Sequence, residues 1–183
     1  KGVTVDLTKG TGTNPFGGTL KLKNVENVSG IFGARNTLRG DGKDNFLQGG
    51  IKADTIRGEG GDDTIGVGAH ASLDPRATRV DGGKGVDTLM IALSDSSAAP
   101  FTGSGATLRF LNRLDLENPA KNTGTFHGGT FAGIEIFRPT GDAMTKFEFR
   151  GSKAAETVYG LSGDDLLDGR AGNDVLIGGS GAD

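Results

Sequence analysis

The sequence has no cysteine, no tryptophan and only two histidines among its 183 residues. Without cysteine the chain can form neither a disulfide framework nor a thiolate metal site, and it has no cysteine nucleophile. The histidines, His70 and His127, belong to no HExxH motif, and both are more simply loop residues. Because transition metals favour histidine or cysteine ligands, the composition argues against a zinc centre.

Long apolar runs and an excess of positive charge are also missing. No segment approaches the ~18 apolar residues that a membrane-spanning helix needs. The formal net charge is −3, and positive residues such as Lys21, Lys23, Arg35 and Arg39 are scattered along the chain. This distribution does not provide the basic patch that nucleic acid requires. We therefore expect no membrane span and no nucleic-acid partner.

Glycine and aspartate, in contrast, are abundant. Glycine supplies 34 of the 183 residues, well above the usual fraction of about 7%. Aspartate outnumbers glutamate 17 to 6. Short carboxylates placed in glycine-rich loops suit the ligation of a hard cation better than the surface of a helix.

The glycines and aspartates recur with a period of nine residues. Over the last part of the chain, Asp165, Asp174 and Asp183 lie nine residues apart. We number each nonapeptide so that these aspartates hold its sixth place and a large aliphatic residue holds its eighth. The same frame runs through residues 31–66, 82–90 and 151–183. A fixed short period of this kind indicates a repeat architecture.

This period predicts the fold. The glycine-rich first six residues of each unit form a sharp turn, and the last three form a short strand whose central side chain points inwards. Two units make one coil, so residues 18 apart in sequence should stack on each other, and their aliphatic residues should build a continuous core. The fold class predicted is all-β, a right-handed parallel β-roll or β-helix solenoid with looped-out insertions.

The departures from the frame divide the chain into four segments. Residues 1–30 form a strand-rich lead-in, and 31–90 form a first repeat block with an excursion at 67–81. Residues 91–150 form a degenerate β-rich segment without calcium motifs, and 151–183 form a second block that is truncated at its end. We interpret the whole as a fragment of a longer protein. Within it, Arg109–Glu117 is the only modest candidate for a helix.

Stacking of the coils would bring sixth-place carboxylates of successive coils together, and a hard cation would turn their repulsion into cohesion. Calcium fits best because it accepts six to eight oxygen ligands with loose geometry, whereas magnesium demands a stricter octahedron. Several calcium ions are therefore expected as cofactors.

The stretches GGKGVDTLM, GLSGDDLLD, GRAGNDVLI and GGSGAD resemble the nonapeptide repeats of RTX proteins, the haemolysin-type calcium-binding repeats. The resemblance covers a little under half of the chain. It implies a calcium-dependent parallel β-roll, type I secretion and folding outside the cell, and it implies no catalysis. The chain would be a secreted, stabilising module of a large bacterial surface or adhesive protein, with a cell-surface or self-association partner.

Two alternatives stay open from the sequence. The module could be the export-and-stability appendage of a secreted enzyme whose catalytic domain lies outside this sequence. The chain could also be an enzyme acting on polysaccharide, like other parallel β-helices, although residues 91–141 do not show the clustered carboxylates that this needs.

The resemblance also implies a set of calcium ligands, position by position. The sixth-place ligands are Asp54, Asp63, Asp87, Asp165, Asp174 and Asp183, with weaker members Asn36, Asn45 and Glu156. Loop carbonyl ligands are expected around Gly49, Gly58, Gly60, Gly61, Gly82, Gly85, Gly160, Gly163, Gly169, Gly172, Gly178 and Gly181. The expected stacked pairs are Asn36 with Asp54, Asn45 with Asp63, Glu156 with Asp174, and Asp165 with Asp183. If residues 67–81 loop out, Asp87 should lie over Asp54.

Overall fold

A computed structural model describes residues 1–68, 78–92, 113–118, 123–126, 129–140 and 147–183. Over these residues the secondary structure consists of strands and turns, which confirms the predicted all-β class. The strands are β1 (Thr4–Asp6), β2 (Thr11–Thr13), β3 (Thr19–Lys21), β4 (Asn27–Ser29), β5 (Thr37–Arg39), β6 (Phe46–Gln48), β7 (Thr55–Gly60), β8 (Thr64–Gly68), β9 (Arg79–Lys84), β10 (Thr88–Ala92), β11 (Arg113–Asn118), β12 (Thr123–Phe126), β13 (Gly129–Ala132), β14 (Ile136–Thr140), β15 (Glu148–Arg150), β16 (Thr157–Ser162), β17 (Leu166–Asp168) and β18 (Val175–Ser180).

The strands form two sheets that share the turns between them. The long sheet has eleven strands in the order β17-β15-β11-β12-β13-β9-β7-β5-β1-β2-β3, and the short sheet has seven in the order β18-β16-β14-β10-β8-β6-β4. Consecutive repeat strands alternate between the sheets and pair in parallel with the strand one coil away. This is the parallel solenoid that the nine-residue period predicts.

The core consists of the eighth-place side chains. In the short sheet, strand register aligns Val28, Leu47, Ile65, Leu89, Phe137, Val158 and Leu176 in one row. Its five central members, from Leu47 to Val158, have no exposed surface. In the long sheet the row is Val5, Leu38, Ile56, Val80 and Phe131. No single nonapeptide can bury its one aliphatic residue, so the stack of coils makes the core.

Phenylalanine replaces the aliphatic residues in the middle coils. The ring centroids of Phe131 and Phe137 lie 5.4 Å apart, and those of Phe137 and Phe149 lie 5.3 Å apart. Phe147, which holds a sixth place, is also buried and packs 6.5 Å from Phe149. This unit therefore keeps its strand and has an apolar side chain where the other units have Asn, Asp or Glu.

Antiparallel strands interrupt the parallel stack of the long sheet at two places. At one end, β2 pairs antiparallel with both β1 and β3. In the middle, β11, β12 and β13 form an antiparallel meander that joins β15 to β9. The expected helix over 109–117 is therefore wrong for its described part, because Arg113–Asn118 is strand β11. Its alternating apolar residues Leu114 and Leu116 fit the two-residue period of a strand.

The excursion between the first repeat units is shorter than expected. Residues Val67 and Gly68 belong to β8, and β9 begins at Arg79, so the predicted bounds 67–81 are wrong at both ends. Strand β9 pairs with β7, and β10 pairs with β8. The coil from Asp63 to Asp87 spans 24 residues instead of 18, an excess of six. Strands β9 and β10 therefore continue the two sheets in order after the six additional residues.

Candidate metal centre

The turns between the sheets form two stacks, one on each side of the solenoid. The forward stack contains the turns that lead from the long sheet to the short sheet, at 40–45, 58–63, 82–87, 133–135, 151–156 and 169–174. The return stack contains the turns that lead back, and its fully described members are 31–36, 49–54, 160–165 and 178–183. Each turn ends in its sixth-place residue, so the sixth-place side chains form one column in each stack.

A repeated hydrogen bond links the members of each column. The backbone N–H of one sixth-place residue donates to Oδ1 of the sixth-place aspartate one coil further on. The bond is 2.7 Å for Asn36 to Asp54, 2.7 Å for Asn45 to Asp63, 3.0 Å for Glu156 to Asp174 and 3.2 Å for Asp165 to Asp183. The four stacked pairs expected from the 18-residue spacing are therefore confirmed.

The expected position of Asp87 is wrong. Asp87 stacks on Asp63, whose N–H donates to its Oδ1 at 2.9 Å, and it does not stack on Asp54. The residue over Asp54 is Thr78, whose hydroxyl accepts the N–H of Asp54 at 3.4 Å. Because 24 residues separate Asp54 from Thr78 and also Asp63 from Asp87, the forward column stays in register although the 18-residue spacing is lost.

The described turns fall into two conformations. Where the fourth place is glycine, both the second and the fourth residues have positive φ. At the fourth place these angles are 98° at Gly61, 132° at Gly85, 129° at Gly163, 129° at Gly172 and 147° at Gly181. The second-place residues of the same turns are Glu59, Gly83, Leu161, Arg170 and Gly179, and all have positive φ. The turns at 31–36, 40–45, 49–54 and 151–156 lack a fourth-place glycine, and none of their residues has positive φ.

Turns of the second conformation are closed by their own hydrogen bonds. In the turn 49–54, Oδ2 of Asp54 accepts the N–H of the second-place Gly50 at 2.7 Å. In the turn 40–45, Oδ1 of Asn45 accepts the second-place N–H of Asp41 at 2.8 Å. In the turn 31–36, Oδ1 of Asn36 accepts the N–H of Ile31 at 2.9 Å.

The fourth closed turn, at 151–156, has a glutamate in the sixth place. Both carboxylate oxygens of Glu156 are occupied by Ser152, one by its N–H at 3.3 Å and the other by its hydroxyl. The side chains of Glu156, Asn36, Asn45 and Asp54 therefore have protein partners, and a cation would have to displace these hydrogen bonds to use the same atoms. Their ligation of calcium stays a prediction.

Turns of the glycine-rich conformation leave carboxylate oxygens without a donor. Oδ2 of Asp63, Asp87 and Asp165 is buried and accepts no hydrogen bond. The side chains of Asp63 and Asp87 are 1% and 0% exposed, and that of Asp165 is 5% exposed. A buried charged oxygen without a partner is costly, and these three atoms occur only in the turns whose second residue is left-handed.

Each orphaned oxygen faces a backbone carbonyl of the next coil across a space that glycine keeps open. A β-carbon on Gly58 would clash with Oδ2 of Asp63 and with the carbonyl oxygen of Gly82. A β-carbon on Gly160 would clash in the same way with Oδ2 of Asp165 and the carbonyl oxygen of Gly178. Two oxygen acceptors that face one small space form a donor set for a hard cation, and this oxygen-only set suits calcium.

Burial shifts the pKa of these carboxyl groups. Burial raises the pKa of Asp63 to about 6 and that of Asp87 to about 7, and the neighbouring carboxylates add to both shifts. Burial also raises the pKa of Asp165. Without a cation, each pocket therefore disfavours the charged form of its carboxylate.

Side chains alone do not complete a metal site. Over the described ranges no three His, Cys, Asp or Glu side chains converge on one point, so a cation must take backbone carbonyl oxygens as well. The predicted carbonyl donors Gly58, Gly82, Gly160 and Gly178 lie at the turns with orphaned oxygens. Gly60, Gly61, Gly85, Gly163 and Gly181 lie in the same turns. Gly169 and Gly172 lie in the turn that ends at Asp174, and Gly49 lies in a turn closed by its own hydrogen bonds.

The sequence frame missed two groups of residues in these stacks. The fifth-place aspartates Asp44, Asp62 and Asp164 each accept the N–H of the fifth-place residue one coil on, at 2.8, 2.8 and 3.0 Å. The Asp-Asp pairs at 62–63 and 164–165 are the signal that could have identified them. The second group is Glu135, which continues the forward column from a segment without the repeat motif.

The geometry agrees with a comparison against known protein families. The family described as RTX calcium-binding nonapeptide repeat (4 copies) matches residues 33–69 and 150–183. A search of curated proteins found no matching relative. Among the described residues, no helix is long and apolar enough to cross a membrane. The matched segments contain most of the glycine-rich turns and of the stacked acidic columns, and these two segments are similar to RTX calcium-binding nonapeptide repeats.

Proposed function

We propose that this chain is a calcium-dependent structural module with one calcium site in each repeat block. The first site lies between the turns 58–63 and 82–87, and the second lies between 160–165 and 178–183. The observation that carries the proposal is the orphaned Oδ2 of a buried aspartate facing a carbonyl of the next coil, at Asp63 and at Asp165.

The residues of each site have separate roles. The sixth-place carboxylate binds the cation through Oδ2. Its Oδ1 accepts the backbone N–H of the sixth-place residue in the previous coil, as Oδ1 of Asp87 accepts the N–H of Asp63. The first-place glycines keep the space open, and the left-handed residues of the turn direct backbone groups away from the carboxylate. Calcium supplies the positive charge that balances the buried carboxylates. Because an unfolded chain has no such site, the free energy of calcium binding stabilises the fold.

We further propose that the module works outside the cell, as the stabilising part of a secreted surface or adhesive protein. The support is the RTX repeat match and the modest affinity of ~10⁻⁴–10⁻³ M that suffices where extracellular calcium is plentiful. The alternative is the stabilising appendage of a secreted enzyme. A secretion assay with and without an RTX-type exporter tests the location, and the sequence that flanks the module distinguishes the two parents.

A matched pair of variants tests the sites. Asp165→Asn should lower calcium affinity at one site on the order of tenfold or more, because it removes the charge of the orphaned carboxylate. The control is Asp81→Asn, which changes an exposed aspartate outside both columns. Calcium titration by calorimetry should show a loss for the first variant only. Equal titrations for both variants would refute the proposed register of ligands.

A further inference from the structure

Glu135 extends the forward column beyond the repeat frame. Its Oε2 accepts the backbone N–H of Asp87 at 2.8 Å, the same bond that Oδ1 of Asp87 makes with Asp63 at 2.9 Å. The N–H of Ile136 donates to the carbonyl oxygen of Asp87 at 2.9 Å. The N–H of Thr64 makes the equivalent bond to Asn45 one coil apart, at 2.8 Å. Glu135 therefore occupies a sixth-place position, although its segment matches no repeat unit.

The turn that carries Glu135 is shorter than the repeat turns. It runs from Gly133 to Glu135, between β13 and β14, and so has three residues where 82–87 has six. Gly133 takes the first-place role in this turn, because its carbonyl oxygen faces Gly82 as the carbonyl oxygen of Gly82 faces Gly58. The chain thus places a carbonyl oxygen and a carboxylate over the turn 82–87.

The turn 82–87 has an orphaned carboxylate oxygen that faces the carbonyl oxygen of Gly133. Oδ2 of Asp87 is buried without a hydrogen-bond partner, and the Asp87 side chain is 0% exposed. A β-carbon on Gly82 would clash with the carbonyl oxygen of Gly133 and would lie 2.5 Å from Oδ2 of Asp87. Both oxygens therefore face the same small space, and both are acceptors. Among the described residues no donor reaches Oδ2 of Asp87, and a cation in this space would satisfy it.

We propose that Asp87, Gly133 and Glu135 form a hybrid calcium site, half from a repeat turn and half from the tight turn of the non-repeat segment. This site rests on the proposed function of the two repeat sites, because it uses the same donor chemistry. It adds a third ion to the chain, in a region that the repeat family does not match. The ion would join the first repeat block to β14 and so hold the two blocks in one stack.

The next position of the column has a glutamate whose carboxylate oxygens both have hydrogen-bond donors within the protein. Glu156 follows Glu135 in the forward stack, since the N–H of Thr157 donates to the carbonyl oxygen of Glu135 at 2.9 Å. Its carboxylate is 1% exposed, and both of its oxygens are hydrogen-bonded to Ser152. Glu156 is therefore a control for Glu135 with the same residue type in the same column, although it is buried and Glu135 is half-buried.

The test compares Glu135→Gln with Glu156→Gln in calcium titrations of the full 183-residue chain by calorimetry. Glutamine keeps an oxygen that can accept the N–H of Asp87 but lacks the negative charge. We expect Glu135→Gln to bind one calcium ion fewer than the unmodified chain, or to bind it at least tenfold more weakly. We expect Glu156→Gln to bind the same number of ions as the unmodified chain. Unchanged binding in Glu135→Gln would overturn the hybrid site.

A second measurement covers the case in which Glu135→Gln does not fold, which circular dichroism at saturating calcium would reveal. The unmodified chain should then bind three calcium ions. Binding of two ions would overturn the hybrid site and leave the repeat sites intact. No calcium uptake at all would instead refute the proposed function itself, so the two failures are distinguishable.

Discussion

At the scale of single residues, the sixth-place carboxylates have unequal surroundings despite equal positions in the repeat. Asp54 has hydrogen bonds to both oxygens, whereas Asp63, Asp87 and Asp165 each keep one oxygen without a donor. An isolated buried carboxylate is unfavourable until a proton or a cation neutralises it. Calcium and protons should therefore compete for the same oxygens.

This competition predicts a pH dependence of calcium binding. In the calcium-free fold, burial raises the pKa of Asp63 to about 6 and that of Asp87 to about 7. Since both values lie above those of the unfolded chain, the calcium-free fold binds extra protons, and its stability falls as the pH rises towards 7. Calcium affinity should rise over the same interval, by up to about tenfold per pH unit for each proton displaced.

Calcium titrations at several pH values between about 5 and 8 measure this effect. The affinity should level off above the higher of the two pKa values, where the carboxylates are already ionised. Asp54 should not contribute to this pH dependence of calcium affinity, because both of its carboxylate oxygens accept hydrogen bonds from backbone N–H groups. Calcium affinity that is the same at both ends of the range would contradict the assignment of buried carboxylates as ligands.

At the scale of elements, the turn conformation decides whether a carboxylate is free to bind a cation. In three of the four closed turns the second-place N–H donates to the sixth-place side chain, as Gly50 does to Asp54. In the glycine-rich turns the second residue is left-handed, even where it is Glu59, Leu161 or Arg170. Only residues without a β-carbon adopt this conformation at no cost, so these three positions store strain.

The stored strain predicts a stabilising substitution. Leu161 has φ +81° and is 40% exposed, so Leu161→Gly should raise the free energy of unfolding by roughly 1 kcal/mol in calcium. The control is Ala154→Gly, at the fourth place of a closed turn whose residues have no positive φ. It should lower the free energy of unfolding by about 0.5–1 kcal/mol. Denaturant unfolding at saturating calcium measures both, and a destabilised Leu161→Gly would contradict the strain argument.

The sequence predicted the stacked pairs but not which of them keep an oxygen free. The 18-residue spacing places Asn36 with Asp54 and Asp165 with Asp183 because a coil of two nonapeptides has a fixed length. The state of each oxygen depends on the backbone of the preceding turn, and a fourth-place glycine is its best sequence signal. A second-place glycine is not a reliable signal, because the second residue also has positive φ where it is a residue such as Arg170.

At the scale of the whole molecule, one continuous row of buried apolar side chains runs through both the repeat segments and the segments that lack the repeat. The row from Leu47 to Val158 passes through Phe137, which lies outside the matched repeat segments. Burying these side chains supplies the stability that is independent of calcium. We expect the glycine-rich turns to supply the part that depends on calcium, because Asp63, Asp87 and Asp165 each have a buried oxygen without a donor.

The class of the fold could be predicted because ligand and core positions repeat in phase. The insertions could not be placed, since the period gives no information on where extra residues leave a coil. A gap of 24 residues before Asp87 fits either a long excursion or a lengthened turn. Glu135 was missed for a related reason, because its turn has lost three residues and the nine-residue frame no longer applies.

The most direct test of the account is thermal unfolding of the full chain, followed by far-ultraviolet circular dichroism, in excess chelator and again after calcium is restored. The account predicts that chelator weakens or abolishes the β-sheet signal and lowers the unfolding temperature, and that calcium restores both. Calorimetry on the chelator-free chain should count three calcium ions. Spectra and unfolding temperatures that are the same with chelator and with calcium would contradict the claim that calcium holds the glycine-rich turns together.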